Sequence, residues 1–562
     1  MQIAAEKPSE DRHTRPNRSL DKSSHRVRLA SNNTPLALAA LALIIGLYLW
    51  RISLLKIAAF NPDEFWHLHS AWCVSKGMIP YRDFFEHHTP WLYFLLAPIF
   101  HLYRVDDDPN AAVAFIFVAR RIMALFAAIV LVLTFALGRL WRGQRVAWLS
   151  TALLSTSVVY AWKTLEIRPD GPALMLWLGC LATILRAVDS PELTELERRS
   201  LFILSGLLLG GAVMTAQKML IVMPGFGLTM LWYLVAGDGP SRKRLLNCLC
   251  QSAGFAVPII ATSLFFWAHG ALWTFFKHVF MNLGWKTHFP SYMFIRWVIA
   301  QNPVLILLGF FGLIRSAFDG TNFSRDRLVF VNTAGAIGGV FTLPTPWLQN
   351  YLIFLPLLAL YAGDFVLLAT DRICAFAAAS HRVGGRVSGA FVFALLASLA
   401  LVLLSAPAPV MIHLLFATTV LSGSLLLFRF RAAGLAVLLM AFSIHPVYQM
   451  RSDLSSDNRA QLERLHYVLA NTLPTDTVMD GWSGLGVFRK SAWFYPFIHG
   501  EIAAMLSATD RNQLLLGLQS GKIAPKFIFP NEAMLSVSRP ITNFLLTHYQ
   551  PVSGAPFLRQ RK

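Results

Sequence analysis

Long apolar runs separated by short polar joints organise this chain. A helix that crosses a bilayer needs about 20 predominantly apolar residues. Runs of that kind occupy 35–57, 111–138, 146–163, 171–187, 201–217, 219–236, 247–268, 293–314, 327–343, 350–369, 388–405, 409–428 and 432–448. They predict about thirteen transmembrane helices. The polar joints alternate in character. If the N-terminus lies inside, the joints carrying Arg139, Arg142 and Arg145, then Arg242, Lys243 and Arg244, then Arg325 and Arg327, then Arg382 and Arg386, then Arg429 and Arg431 all fall on one side. That bias is the mark of cytoplasmic loops. The mixed-charge joint near 190–199 is the exception.

An odd number of spans puts the end of the chain on the other side. Three parts result: a cytoplasmic basic tail, 1–34, a transmembrane domain, 35–448, and an extracytoplasmic C-terminal domain, 449–562. In the last part Leu462, Leu465, Val468 and Leu469 recur at helical spacing until Pro474. Short strands are expected at 477–480 and 526–529 and a further helix near 537–548, making a small α/β domain resting on the membrane.

Composition supports lipid as the main solvent. Only 14% of the 562 residues are charged and the mean hydropathy is +0.52, where soluble domains carry about 25% charged residues. The net charge of +19 sits mostly in the short joints, with no basic face interleaved with aromatics, so nucleic acid is excluded as a partner. The polar start is too long for a cleaved signal peptide, and 35–57 reads as an uncleaved first helix. Five cysteines, four of them in or beside apolar runs, give no disulfide framework and no zinc-knuckle spacing.

Chemistry concentrates in the first outer loop, 58–110. It reads Asn61-Pro-Asp-Glu-Phe-Trp-His-Leu-His69 and then Gly77-Met-Ile-Pro-Tyr-Arg-Asp-Phe-Phe-Glu-His-His-Thr-Pro90. Pro62 followed by acids predicts a helix start where the dipole favours negative charge. Trp66, Trp72, Phe84, Phe85, Trp91 and Tyr93 suit helices lying in the membrane interface, at the headgroup level of a lipid-linked substrate. Asp63 and Glu64 read either as a reactive pair or as a solvated helix start. His67, His69, His87 and His88 read as hydrogen-bonding histidines rather than a zinc set, because their spacing fits no standard motif. A second cluster, Lys163-Thr-Leu-Glu166-Ile-Arg168-Pro-Asp170-Gly-Pro172, lies at the mouth of two apolar runs. Such charges are costly near lipid unless paired or used, so it is an ion-pair network or a site. Lys218 is a third cation on that side, readable also as a snorkelling lysine. The loop 277–292 adds Lys277, His278, Trp285, Lys286 and His288.

The early Asp-Glu pair, the Gly-x-x-Pro-Tyr-Arg-Asp-Phe-Phe-Glu-His-His-x-Pro stretch and the later Arg-Pro-Asp-Gly together resemble membrane glycosyltransferases of the GT-C superfamily. The nearest group is that of protein O-mannosyltransferases and lipid A aminoarabinose transferases, and the likeness is best over the first 220 or so residues. The resemblance implies a multi-pass enzyme of the cell envelope, expected in a bacterial inner membrane with its site on the periplasmic side. It implies a sugar carried on polyprenyl phosphate and transferred, with inversion, to a hydroxyl of a glycan, glycolipid or protein. Asp63 would be the general base, Glu64 would assist, and Asp170 or Glu166 would be the second-loop acid. Arg168, Lys163 and Lys218, with His88, are assigned to the departing phosphate from their charge and position. Some relatives need a divalent cation and others do not; Asp63, Glu64 and Asp170 are the oxygen ligands available to magnesium or manganese. No organic cofactor is expected. His87-His88 departs from relatives that carry a basic residue beside a proline there.

Two other readings compete. A transporter or flippase of lipid-linked sugars would place charges near the bilayer midplane and show related halves, whereas these charges cluster at the outer mouth. A polymerase or ligase of surface polysaccharide would keep its long external loop late in the chain, whereas this chain has its richest loop first.

Overall fold

The computed structural model describes residues 34–237, 239–281, 291–318, 323–343, 347–379, 397, 401–427, 429–453 and 456–562. The basic tail, most of the run 388–405, and Trp285, Lys286 and His288 lie outside them. The described chain is mostly helical, with one small sheet near its C-terminus.

Helix α1 spans Thr34–Leu54. Two short helices follow, α2 (Pro62–Ser75) and α3 (Trp91–Leu96). The helical body continues with α4 (Pro109–Arg142), α5 (Gln144–Ser155), α6 (Val158–Lys163), α7 (Asp170–Asp189), α8 (Glu195–Thr215), α9 (Met223–Ala236) and α10 (Ser241–Ala268). After it come α11 (Leu272–Phe276), α12 (Ser291–Gln301), α13 (Pro303–Phe318), α14 (Phe323–Thr342), α15 (Leu355–Ala379), α16 (Val410–Leu427) and α17 (Arg431–Asp453). Among the described residues eight helices are long and apolar enough to cross a membrane, nine if the bent pair α12–α13 is one span.

Two predicted spans are interrupted. The run 146–163 breaks at Thr156-Ser157, where the Ser157 hydroxyl accepts from Tyr160 N and caps α6. The run 293–314 bends by 103° between α12 and α13; Pro303 lacks an N–H and restricts Asn302 before it. Elsewhere the bundle packs tightly. A Cβ on Gly206 of α8 would lie 2.1 Å from the Gln251 carbonyl oxygen of α10, and one on Gly254 would lie 2.2 Å from that of Ile203. Small residues thus let these two backbones meet, as membrane helices require where lipid offers no hydrophobic drive.

The C-terminal part begins with α18 (Arg459–Ala470), continues through β1 (Thr477–Asp480) and β2 (Lys490–Ser491), and then α19 (Gly500–Met505) and α20 (Ala508–Gln519). It closes with β3 (Phe527–Phe529), α21 (Glu532–Leu535), α22 (Arg539–His548), β4 (Tyr549–Val552) and β5 (Ala555–Arg561). Strand order is β2-β1-β3-β5-β4. β1 runs parallel to both neighbours, and the β4–β5 hairpin closes one edge antiparallel. Pro551 sits on that edge strand, where a missing donor is tolerated.

This part is tied to the residues after α1 and to α2. Asn458 Nδ2 donates to the carbonyls of Lys56 (3.0 Å) and Ala58 (3.2 Å), and Gln461 Nε2 to that of Phe60 (2.9 Å). Phe85 N donates to Phe494 O at 2.7 Å. The loop after β1 presses on α2: Gly484, at φ +77°, approaches Phe65 so closely that a Cβ there would lie 2.1 Å from the ring.

Asp480 holds that loop together by accepting from Ser483 N (2.7 Å) and Gly486 N (3.2 Å). Burial pushes its carboxyl up to about 6, although those N–H groups favour the charge. The folded protein therefore keeps a proton at about pH 5 that an unfolded aspartate has lost. The group's contribution to stability is full below about pH 4 and is lost as pH rises through 6. Between about pH 4.5 and 7 the wild type should lose about 2 kcal/mol more stability than Asp480→Asn. Thermal unfolding of both proteins across that range checks it, and parallel curves would refute it.

Candidate active site

The start of α2 is built by its own sequence. The Asn61 side chain accepts from Asp63 N at 3.0 Å while Glu64 Oε1 accepts from Asn61 N at 3.0 Å, a reciprocal cap, with Pro62 in the first turn. The two acids then part company. Glu64 turns into the protein and is fully buried. Arg120 of α4 grips both its oxygens, Nε at 2.9 Å and an NH2 at 2.7 Å, and the same guanidinium donates to the carbonyls of Leu55, Ala58 and Ala59. Glu64 Oε2 also accepts from Ile167 N at 3.2 Å. One carboxylate therefore fixes the end of the α1 connection, α2, α4 and the loop before α7 against each other.

Asp63 faces the other way, into a cavity of about 500 Å³. Its side chain is 31% exposed and paired with Arg168. Arg168 lies between three acids: Asp63, Glu166 (3.2 Å) and Asp170 (3.4 Å). Lys163 pairs with Glu166 at 2.7 Å, and Lys218 pairs with Asp170 while donating to Asn350 Oδ1 at 2.8 Å. Burial alone would raise the Asp63 carboxyl, but the charge and hydrogen bond of Arg168, with the charge of Lys163, outweigh it and hold it well below the ordinary carboxylate range.

Asp63, His88, Lys163, Arg168, Asp170 and Lys218 thus come together around one space, and Glu64 does not join them. As a set of metal ligands, Asp63, Glu64 and Asp170 fit poorly. Each carboxylate already faces a guanidinium or ammonium, and Glu64 points away from the other two. A divalent cation needs several unneutralised oxygens converging on one point.

Glu86 is the hub of the second half of the wall. It is fully buried and accepts from Trp66 Nε1 (2.8 Å), Ser70 Oγ (2.5 Å), the backbone N–H groups of His87 (2.8 Å) and His88 (3.0 Å), and His88 Nδ1 (2.9 Å). Glu86, His87 and His88 do bring potential ligand atoms within 4.8 Å of one another, but these hydrogen bonds already occupy both Glu86 oxygens. His67 stands 4.8 Å from His88, ring to ring. Burial, with the charges of His88 and Arg168, pushes its imidazole down to about 3, so it is neutral at neutral pH. His69 points instead to the C-terminal part, 2.9 Å from Val487 O, and burial lowers it to about 4.

Sequence reading missed Arg120, Glu86, Asn350 and the C-terminal residues Trp482, His499 and Glu501, the last four of which line the cavity. Arg120 had a legible signal: a charge inside an apolar run demands a partner. The C-terminal three had none, because only the fold carries them to Asp63.

Residues 87–267 match the family described as dolichyl-phosphate-mannose-protein mannosyltransferase. No curated protein sequence matches the chain significantly. Among solved structures, the apo form of ArnT from Cupriavidus metallidurans superposes with a TM-score of 0.57 at 13% identity, covering 90% of this chain and 93% of that one. ArnT bound to undecaprenyl phosphate gives 0.58 at 14% identity, covering 92% and 96%. The apo Archaeoglobus fulgidus oligosaccharyltransferase gives 0.51 at 11% identity, covering 87% of this chain and 69% of that one. The chain therefore has the fold of the GT-C membrane glycosyltransferases, and its residues 87–267 carry the protein mannosyltransferase family pattern.

Proposed function

We propose that this protein is an inverting glycosyltransferase that moves a sugar from polyprenyl phosphate to an acceptor hydroxyl on the extracytoplasmic side of the membrane. The observation that carries the proposal is one cavity with a half-open carboxylate, Asp63, facing Arg168 and Lys218. The mannosyltransferase match and the likeness to an enzyme seen with undecaprenyl phosphate supply the donor class. The positive-inside pattern of the joints supports the extracytoplasmic side.

In this reading the acceptor oxygen attacks the anomeric carbon as the bond to the phosphate oxygen breaks. Asp63 takes the hydroxyl proton. The electron pair leaves with the phosphate, whose growing charge Arg168 and Lys218 stabilise, with His88 and Lys163 beside them. These cations are preorganised by the acids they now hold, so an arriving phosphate exchanges one set of anionic partners for another. No step passes through a metal.

Transfer from a panel of labelled polyprenyl-phosphate sugars, in membranes containing the protein, tests the proposal. Consumption of a donor with formation of a glycosylated product is the expected result. Movement of labelled lipid-linked sugar across the membrane without transfer would replace it with transport. Within the enzyme reading, Lys218→Gln should raise the donor KM about tenfold or more, the worth of one charged hydrogen bond, because Gln keeps a donor for Asn350 but no charge for phosphate. An unchanged donor KM would remove Lys218 from the phosphate site.

A further inference from the structure

The C-terminal part forms a wall of the same cavity that the donor chemistry leaves unused. Its Trp482, His499 and Glu501 line the space together with Asp63. His499 Nδ1 lies 2.5 Å from Glu501 Oε2. An ionised carboxylate only accepts, so the proton between them sits on Nδ1, and Nε2 is left for another partner. That Nε2 is buried and has no hydrogen-bond partner, in a residue only 9% exposed. An unmade bond of this kind costs on the order of 1–3 kcal/mol and points to a group that completes it when the cavity fills.

The surroundings say which kind of group. The His499 ring is 4.4 Å from Trp482 and 5.3 Å from Trp66, which fixes its plane. Trp482 is only partly buried and lines the cavity. Fixed charge on this wall is Glu501, close enough to Asp63 across the space for each carboxylate to disfavour the other's charge. The cations Lys163, Arg168 and Lys218 come from α6, the loop before α7 and the segment between α8 and α9, and each is already paired with an acid there. An anionic acceptor group would meet the Glu501 carboxylate here, whereas a neutral hydroxyl meets an indole and a ring nitrogen without a partner.

We propose that His499, oriented by Glu501, and Trp482 form the acceptor subsite, and that it takes a neutral, hydroxyl-bearing sugar ring of a glycan rather than a phosphate group. The inference rests on the glycosyltransferase reading. An acceptor hydroxyl, which can both donate and accept, hydrogen-bonds His499 Nε2 and the sugar ring's C–H face lies on Trp482. A neighbouring hydroxyl then gives its proton to Asp63 as its oxygen bonds to the anomeric carbon and the polyprenyl phosphate departs. The product is an O-glycoside, not a glycosyl phosphate.

The full-length protein in membranes containing the native envelope glycans, supplied with labelled undecaprenyl-phosphate sugars, provides the test. The labelled product should survive mild acid, which cleaves glycosyl phosphates and spares glycosides. His499→Ala and Glu501→Gln should each reduce transfer about tenfold or more, while purified protein binds undecaprenyl phosphate with a Kd within about twofold of wild type. An acid-labile product overturns the proposal, independently of whether any variant folds. So do variants that transfer like wild type, or that lose undecaprenyl phosphate binding in step with transfer. A wild type that consumes no donor overturns the glycosyltransferase reading and this inference with it; the other outcomes overturn the inference alone.

Discussion

Asp63→Asn should lower kcat for sugar transfer by about 10²-fold or more, with binding of undecaprenyl phosphate unchanged or tightened. The substitution keeps the shape of the side chain and does not touch the helix cap, which uses the backbone N–H of residue 63 and the side chains of Asn61 and Glu64. What it removes is the negative charge that takes a proton. Arg168, chiefly, holds the Asp63 carboxyl below its ordinary range against the opposing effect of burial. The charged form therefore persists as pH falls through the ordinary carboxylate range near 4, and its contribution to stability disappears only as pH drops through the lowered value. The pH profile of kcat/KM, which reports the free enzyme, should accordingly show no limb from Asp63 between about pH 5 and 8. A carboxyl so strongly acid is a weak base while Arg168 holds it. Arg168 is also the cation that an incoming phosphate would engage. Once it turns to the donor, Asp63 loses its main stabilising partner and the effect of burial raises its basicity. In the proposed reaction donor binding and activation of the base would be coupled in this way, so Asp63→Asn, which leaves Arg168 without that competitor, should not weaken the donor. Full activity in a folded variant would remove Asp63 as the base. Joint loss of activity and undecaprenyl phosphate binding would make it part of the donor site instead.

The features that sequence made legible are those set by near neighbours. Apolar runs announce membrane helices because each run must satisfy its own backbone in lipid. Asn61-Pro62-Asp63-Glu64 announces a capped helix start because its four residues supply each other's hydrogen bonds. Strands at 477–480 and 527–529 and the helices Arg459–Ala470 and Arg539–His548 follow from local period and breakers. Hydropathy was blind to the 103° bend at Asn302-Pro303, since the two helices read together as one apolar run. Adjacency also misled. Asp63 and Glu64 read as a working pair, but neighbours on a helix point about 100° apart, and only the positions of Arg120 and Arg168 decide which acid meets the cavity. Those partners are 56 and 105 residues away in sequence. His499 and Glu501 are farther still, and nothing within their own segment distinguishes them from any exposed His-Gly-Glu.

Arg120→Met should destabilise the protein by about 3–5 kcal/mol, the usual consequence of leaving one member of a buried ion pair alone. The guanidinium is 3% exposed and Glu64 is fully buried, so neither charge has water to fall back on. Met fills the volume of the stem but abandons Glu64 and the carbonyls of Leu55, Ala58 and Ala59. Adding Glu64→Gln to Arg120→Met should recover part of the loss, because a neutral amide costs less to bury than an unpaired carboxylate. Glu64→Gln alone keeps an acceptor for Asn61 N and leaves Arg120 its three carbonyls, so it should destabilise less than Arg120→Met. Its turnover per folded molecule should stay within about tenfold of wild type, since Glu64 touches no part of the cavity and acts by holding α2 and the Ile167-Arg168 segment in register. Thermal unfolding in detergent sets these cases beside the Asp63 variant, which should stay folded at the assay temperature, because Arg168 keeps Glu166 and Asp170 as partners, yet fail to transfer. Should Glu64→Gln instead melt normally and lose transfer about 10²-fold, Glu64 would belong to the chemistry, and the division of labour between the two adjacent acids would fall.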